Sequence, residues 1–228
     1  MRVRPISIST PIAGAVPGAN DDPEALMVYC ARISNPSNQW NHATGSKLLR
    51  YCIKHKHWSV LEMVDWCVEV ETTRAIASQL LRHRSFSFQE FSQRYSDIRK
   101  LTGLIQQVEM RPANPGGNRQ GSDEVEPLRH PTSVNELVEW SLDSSIKIYE
   151  RLLEEGVAPE CARMVLPLAT TTKLYVKGSV RSWVHYLQVR TTPHTQKEHR
   201  DLAQEIQRHF ANHFPVVAEA AFHQEDEE

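Results

Sequence analysis

The sequence is poor in cysteine. Four are spread along 228 residues, at Cys30, Cys52, Cys67 and Cys161, and no two form a C-x-x-C pair. That spacing supports neither a zinc knuckle nor a redox dithiol, and leaves buried free thiols in a reducing, cytoplasmic setting as the reading. Long apolar runs are missing too. No stretch of 18 apolar residues occurs, so no segment is expected to span a membrane. Residues 1–15 carry two arginines and several small residues, but proline and serine interrupt them. Without a continuous apolar core they read as part of the mature fold rather than a secretion signal. Charge of either sign is not in excess: the net value is −2, which gives no global field to attract nucleic acid. No internal repeat is visible. His55 and His57 lack a third ligand at useful spacing, so they read as a polar loop and no metal site is expected.

What remains is an ordinary globular composition, 40% hydrophobic and 24% charged, long enough for one sizeable core or two small ones. Residues 2–9 alternate imperfectly and predict a short strand, with Pro5 marking an edge or a bulge. After a loop over 11–22, Asp21 or Asp22 caps a helix that opens on Pro23 and stops at Asn35-Pro36. A second helix covers 43–56. Residues 63–72 alternate well, with Val64, Trp66, Val68 and Val70 on one side, and predict the best strand. Thr72 or Thr73 then caps a helix running to about Arg84. Prolines and glycines break 97–131, which reads as a mobile loop or lid. A long helix over 132–155, capped by Thr132 or Ser133, ends at Gly156. Pro159 opens a short helix, 168–176 is a threonine-rich strand, and Gly178 turns the chain into a helix from Ser179 to about Arg190. A last helix spans 195–214, and the acidic end, 224–228, is expected to be disordered. Trp66, Trp140 and Trp183 read as core. The sum is an α+β fold with a mixed or antiparallel central sheet flanked by long helices, in one domain over 1–228.

One stretch concentrates chemistry. Residues 79–96 place Arg82, His83, Arg84 and Arg94 near Glu90 and among serines, with Phe86, Phe88, Phe91 and Tyr95 threaded through. A solvated face would mix both signs; this one is mostly donors. Arginine grips phosphate as a fork and aromatics stack or seal, so the set suits an anionic ligand that carries a ring. Simpler accounts exist for parts of it. Cations at a helix C-terminus favour the dipole by under about 1 kcal/mol each, and Phe91 fits a core. The same interleaving would also serve a module for single-stranded nucleic acid, were the basic residues less scattered.

The residues carry a resemblance. Arg82-His83-Arg84, seven further residues and then Ser92 is similar to the signature of the flavin-dependent thymidylate synthases. The flanks Gln79 and Glu90-Phe-Ser-Gln-Arg-Tyr-Ser agree. Arg163-Met-Val-Leu-Pro-Leu resembles a second block of that family, and Val180 to Arg190 with Gln196-Lys-Glu-His resembles a third. The likeness runs over roughly 24–213. Ser179 and His185 stand where one common pattern has asparagine.

The resemblance implies an enzyme that makes dTMP from dUMP. 5,10-Methylenetetrahydrofolate would give the carbon, FAD the hydride, and NADPH would reduce the flavin. It implies that Gln79, Arg82, Glu90, Ser92, Arg94, Arg163 and Arg190 approach dUMP, with Arg190 stabilising negative charge on the pyrimidine. His57, Ser59, Glu62, Arg82, His83, Arg84, Glu90, Arg181 and His185 would serve FAD. It also implies an obligate homotetramer with sites at subunit interfaces, and no nucleic-acid or membrane partner. Ser92 has no evident base beside it and is expected to bind rather than attack.

Overall fold

The computed structural model describes residues 1–101, 103–106, 109–114, 121, 122, 124 and 126–222. Its centre is a four-stranded antiparallel sheet in the order β1-β2-β4-β3. β1 (Arg2–Ile8) pairs with β2 (Asp65–Thr73), and the register slips between Pro5 and Ser7, the irregularity that Pro5 foreshadows. β2 pairs along its whole length with β4 (Thr171–Ser179), from Asp65 opposite Ser179 to Thr73 opposite Thr171. β3 (Ser87–Glu90) closes the other edge.

The period of two in β2 decides which face is covered. Trp66, Val68 and Val70 join Leu174 and Val176 in the main core. The opposite face carries cross-strand pairs instead: Lys173 with Glu71 at 2.8 Å, Lys177 with Asp65 at 2.8 Å, and Glu69 accepting from Arg4 at 3.0 Å and Tyr175 at 2.9 Å. Helices pack on the apolar face. α1 (Pro23–Ala31) starts where Asp22 accepts from the Glu24 amide. α2 (Gly45–Lys54), α6 (Val180–Arg190), α7 (Lys197–His213) and α8 (Pro215–Phe222) complete the layer. Trp66 and Trp183 meet edge to face at 5.1 Å, with Phe210 and Phe214 against Trp66. The Trp183 indole N–H donates to the Trp66 carbonyl at 3.0 Å, so the large ring is buried without an orphaned donor. Truncating either tryptophan would cost about 3–5 kcal/mol.

Several sequence expectations need correction. α3 (Arg74–Leu80), capped by Thr73, ends well before Arg84, so the charged triplet lies in a turn. β4 runs through Gly178 instead of turning there. A Cβ on Gly178 would sit 2.3 Å from the Phe86 ring, so the residue is glycine for packing, not for a bend. α4 (Pro131–Glu154) starts from His130 with no side-chain cap, and neither Thr132 nor Ser133 takes that role. Trp140 is 68% exposed, not core: among the described residues no element covers that face of α4. α1 stops at Ala31, short of Asn35. The expected helix over 195–214 is α7, but a further helix the sequence reading did not anticipate, α8, opens at Pro215.

α5 (Pro159–Ala162) follows α4 after Gly156, whose φ of +81° is the left-handed helix stop expected there. Ile98, Tyr149 and Ala162 form a separate small core beneath α4. Within the proposed lid, Ile105 bridges Thr170 and Ala113 bridges Ser122. Residues 102, 107, 108, 115–120, 123 and 125 of that expectation, like the acidic end at 224–228, fall outside the described residues. Among the described residues no helix is long and apolar enough to cross a membrane. The cysteines are free thiols, but of the four only Cys52 is buried; Cys30 and Cys67 are half-buried and Cys161 is exposed.

Candidate active site

The signature stretch folds around Phe86. Its ring lies 4.5 Å from Trp183 and 5.8 Å from Tyr186, inside the core. Anchoring that ring forces the residues before it to turn: Arg82 donates its amide to Gln79 and His83 to Leu80. Arg82 and Arg84 therefore project to solvent, while His83 tucks inward against Tyr186 at 5.0 Å, edge to face. After Phe86 the chain extends as β3 along β4, and Phe91 donates to the Lys173 carbonyl at 2.8 Å. Glu90 ends this strand, where Oε1 accepts from Arg74 at 2.5 Å and Thr172 at 2.9 Å.

α6 carries the other half. Trp183, Val184, Tyr186 and Leu187 are buried, which fixes the helix's rotation. Arg181, His185 and Gln188, spaced at i, i+4 and i+7, then share its outer face. They line a cavity of about 470 Å³ with Trp58, Glu62 and Ser85. An adjoining cleft of about 350 Å³ adds Ser87 and Lys177. Arg181 pairs with Glu62 at 3.0 Å, and Ser179 caps the helix by accepting from the Ser182 amide.

At the C-terminal end of α6, Arg190 donates through Nε to His83 Nε2 at 2.9 Å. Burial and the adjacent guanidinium hold His83 down at about 4, so the ring is neutral near pH 7 and free to accept. Behind it, Tyr186 and His199 meet at 3.1 Å, and His199 Nδ1 reaches Gln79 Oε1 at 3.1 Å. Burial, then Arg190 and His83, push His199 down to about 3; burial drives the Tyr186 hydroxyl upward. Gln79 also donates to Gln196 at 2.6 Å.

Ten of the fourteen expected site residues thus fall into three groups. Glu62, Arg181 and His185 share one cavity, with Ser59 on the same 58–63 turn as Glu62 and His57 at its N-terminal end. Gln79, His83 and Arg190 converge at the far end of α6. Arg94 and Arg163 both use Glu160, through its carboxylate and its carbonyl, each at 3.3 Å. Among the described residues, that third group shares no hydrogen bond or ion pair with the other two. Arg82, Arg84 and Ser92 make no side-chain hydrogen bond there. Sequence reading missed Trp58, Ser85, Ser182 and Gln188 as lining residues, and Tyr186, Glu198 and Arg111 behind Gln79. For Gln188 the helical spacing from Arg181 was a usable signal; for Arg111, in a broken loop, none existed.

Guanidinium, imidazole, amide and hydroxyl groups gather beside a cavity with Trp58 in its wall, within an α+β fold, a set suited to anionic ligands that carry rings. Residues 17–216 match the family model described as thymidylate synthase complementing protein. A protein of Synechocystis sp. named flavin-dependent thymidylate synthase is 46% identical over 225 residues, covering 96% of this chain and 99% of the relative. One from Paramecium bursaria Chlorella virus 1, named a probable flavin-dependent thymidylate synthase, is 43% identical over 220 residues, covering 96% and 98%. Among solved structures, a UMP/dUMP methylase from Streptomyces cacaoi bound with 5-Br dUMP superposes with a TM-score of 0.76 at 26% identity, covering 96% of this chain and 93% of that one. The chain belongs to the family of flavin-dependent thymidylate synthases.

Proposed function

We propose that this protein methylates dUMP to dTMP as a cytoplasmic, single-domain subunit of a homotetramer. The identity of 43% and 46% to two relatives named for this activity, over nearly the whole chain, carries the reading. The residues present fit a flavin dinucleotide. The Trp58 wall and the cavity beside it suit a flat ring, and Arg181 and Lys177 suit its phosphates. The 57–62 turn, the Arg82–Arg84 turn, Glu90, Arg181 and His185 would hold it. When bound, FAD supplies the hydride for a carbon donated by 5,10-methylenetetrahydrofolate, and NADPH recharges it.

The chain's own residues do the rest. Arg82, Arg94, Arg163 and Ser92 bind the nucleotide's anionic part and orient it. Arg190 spends Nε on neutral His83, which leaves its two terminal nitrogens for the pyrimidine. Negative charge that builds on the ring, as carbon 5 becomes nucleophilic, is stabilised there. Gln79 lies four residues before His83, and both contact the Tyr186–His199 pair, which brings its amide beside the same ring.

Two observations support an assembly. Among the described residues, the groups around Glu160 and Arg190 share no hydrogen bond or ion pair, so a second chain would complete each site. Leu137 and Trp140, 65% and 68% exposed on α4, give apolar surface for that contact. A nucleic-acid module is disfavoured because Phe86 is locked in the core and cannot stack on a base. The test is direct. Purified protein should be yellow, take up FAD and release tritium from 5-tritiated dUMP. A colourless protein that does neither overturns the reading.

A further inference from the structure

Six polar side chains run in one hydrogen-bonded file behind Arg190. Arg111 Nη2 donates to Glu198 Oε1 at 2.6 Å, and Gln196 Nε2 donates to Glu198 Oε2 at 2.8 Å. Gln79 Nε2 donates to Gln196 Oε1 at 2.6 Å. Gln79 Oε1 faces His199 Nδ1, and His199 Nε2 faces the Tyr186 hydroxyl, each at 3.1 Å.

The file has only one consistent direction. An ionised carboxylate accepts and never donates. Glu198 is ionised: burial works against this, but hydrogen bonds from Arg111 and its neighbours hold the carboxyl below its ordinary value. Gln196 must therefore turn its NH2 toward Glu198 and its oxygen toward Gln79. Gln79 must then donate to Gln196 and turn its own oxygen toward His199. His199 must carry its proton on Nδ1. Its ring is neutral, so Nε2 accepts, and Tyr186 must donate. Carboxamides and imidazoles can otherwise be read in either orientation; here Glu198 settles every link.

We infer that this file locks the Gln79 carboxamide in one of its two orientations, making Glu198, Gln196, His199 and Tyr186 positioning residues for base selection. Each end of the Gln79 amide has one hydrogen bond in the file, leaving one N–H and one carbonyl lone pair for a ligand. That pair matches a ring edge with a carbonyl beside an N–H, the O4 and N3 pattern of uracil. Cytosine offers an amino group beside a bare nitrogen, the reverse order. At a ring whose pose is set by its phosphate and Arg190, a fixed amide pairs with uracil and opposes cytosine. A site built on hydrogen bonds rejects the mismatched ligand because its buried groups are left unpaired. The inference rests on the proposed placement of Gln79 and Arg190 at the pyrimidine of dUMP.

The near-isosteric change Glu198→Gln tests it. A neutral amide at 198 would turn its oxygen to Arg111, which only donates, and its NH2 to Gln196, so the file would reverse. Holoenzyme affinities for dUMP and dCMP are measured by calorimetry. The His199 tautomer is read from 15N-coupled imidazole spectra, with its signals assigned by their loss in His199→Gln. In the unmodified protein we expect the Nδ1–H tautomer and binding of dUMP over dCMP. In Glu198→Gln the preference should fall roughly tenfold or more, the Nε2–H tautomer should appear, and bound flavin should be retained. An Nε2–H tautomer in the unmodified protein overturns the inference without any variant. An unchanged dUMP-to-dCMP ratio in flavin-loaded Glu198→Gln also overturns it. Failure of the unmodified holoenzyme to bind dUMP at all overturns the thymidylate reading instead.

Discussion

His199→Gln should be most damaging at neutral pH and less so in mild acid. His199 is fully buried, and it titrates at about 3 in the fold against an ordinary 6.5. At pH 7.5 the imidazole is neutral in both folded and unfolded chains, so its pKa shift costs nothing. Substitution there disturbs two buried hydrogen bonds, to Tyr186 and Gln79, at about 1–3 kcal/mol. As pH falls below 6.5 the unfolded chain takes up the proton and the folded chain does not, so the unmodified protein loses stability. At pH 5 the gap from 6.5 is 1.5 units, or about 2 kcal/mol at roughly 1.4 kcal/mol per unit. Glutamine does not titrate, so the variant escapes that loss. Its deficit should therefore shrink by about 2 kcal/mol between pH 7.5 and pH 5. Urea unfolding at both pH values, at one fixed protein concentration, measures the double difference. A deficit that stays constant or grows toward acid would refute the account of His199 as a neutral relay.

Glu24→Gln should show the opposite slope. Burial lifts the Glu24 carboxyl to about 7, and its Oε1 accepts from the Val217 amide at 2.9 Å, so the folded chain keeps a proton that the unfolded chain gives up above 4.5. Stability then falls as pH rises toward 7, and the variant should gain roughly 2 kcal/mol on the unmodified protein between pH 5 and pH 8 in the same titration; parallel curves would count against it. Gly178→Ala drives a methyl into the Phe86 ring and should cost roughly 1–3 kcal/mol, seen as a Tm several degrees lower with weakened dUMP binding from the loosened Arg82–Arg84 turn; an unchanged Tm would show that Phe86 yields freely. Arg190→Ala should keep flavin absorbance and lose roughly a hundredfold or more in kcat. It should also let His83 titrate closer to its ordinary value, since Arg190 is one cause of its depression; unaltered turnover would remove Arg190 from the chemistry.

Much of the frame was legible because its signals are local. Asp22 before Pro23, Thr73 before Arg74 and Ser179 before Val180 are caps whose oxygen meets an amide two or three residues on. The alternation from Val64 to Val70 names its own buried face. β3 gave no such signal: Ser-Phe-Gln-Glu becomes a strand only because β4, more than eighty residues away, offers an edge to pair with. Trp140 shows the converse. Its place among the apolar residues of α4 suggested core, but periodicity states what needs covering and not what covers it. The signature named the donors of the proposed site, while the orientation of Gln79 depends on His199, 120 residues along the chain, and on the charge of Glu198 beyond it.

α6 explains how separate parts of the site keep a fixed relation. Its inner face, with Trp183, Tyr186 and Leu187, is fully buried against the sheet and α7, so the helix cannot rotate or slide without opening the core. Arg181 at one end and Arg190 at the other are nine residues apart, a rise of about 14 Å. The cavity lies beside the first, and the Gln79–His83 cluster beside the second. In the proposed reaction flavin and pyrimidine would be held by opposite ends of one rigid rod, with Ser85 bridging to the N-terminal end through the Ser182 hydroxyl at 3.4 Å. The turn that presents Arg82 and Arg84 is clamped at both sides, by His83 on Arg190 and by Ser85 on Ser182. A three-residue motif in a solvent-facing loop thereby acquires the precision of the core, which is what oriented transfer between two bound molecules requires.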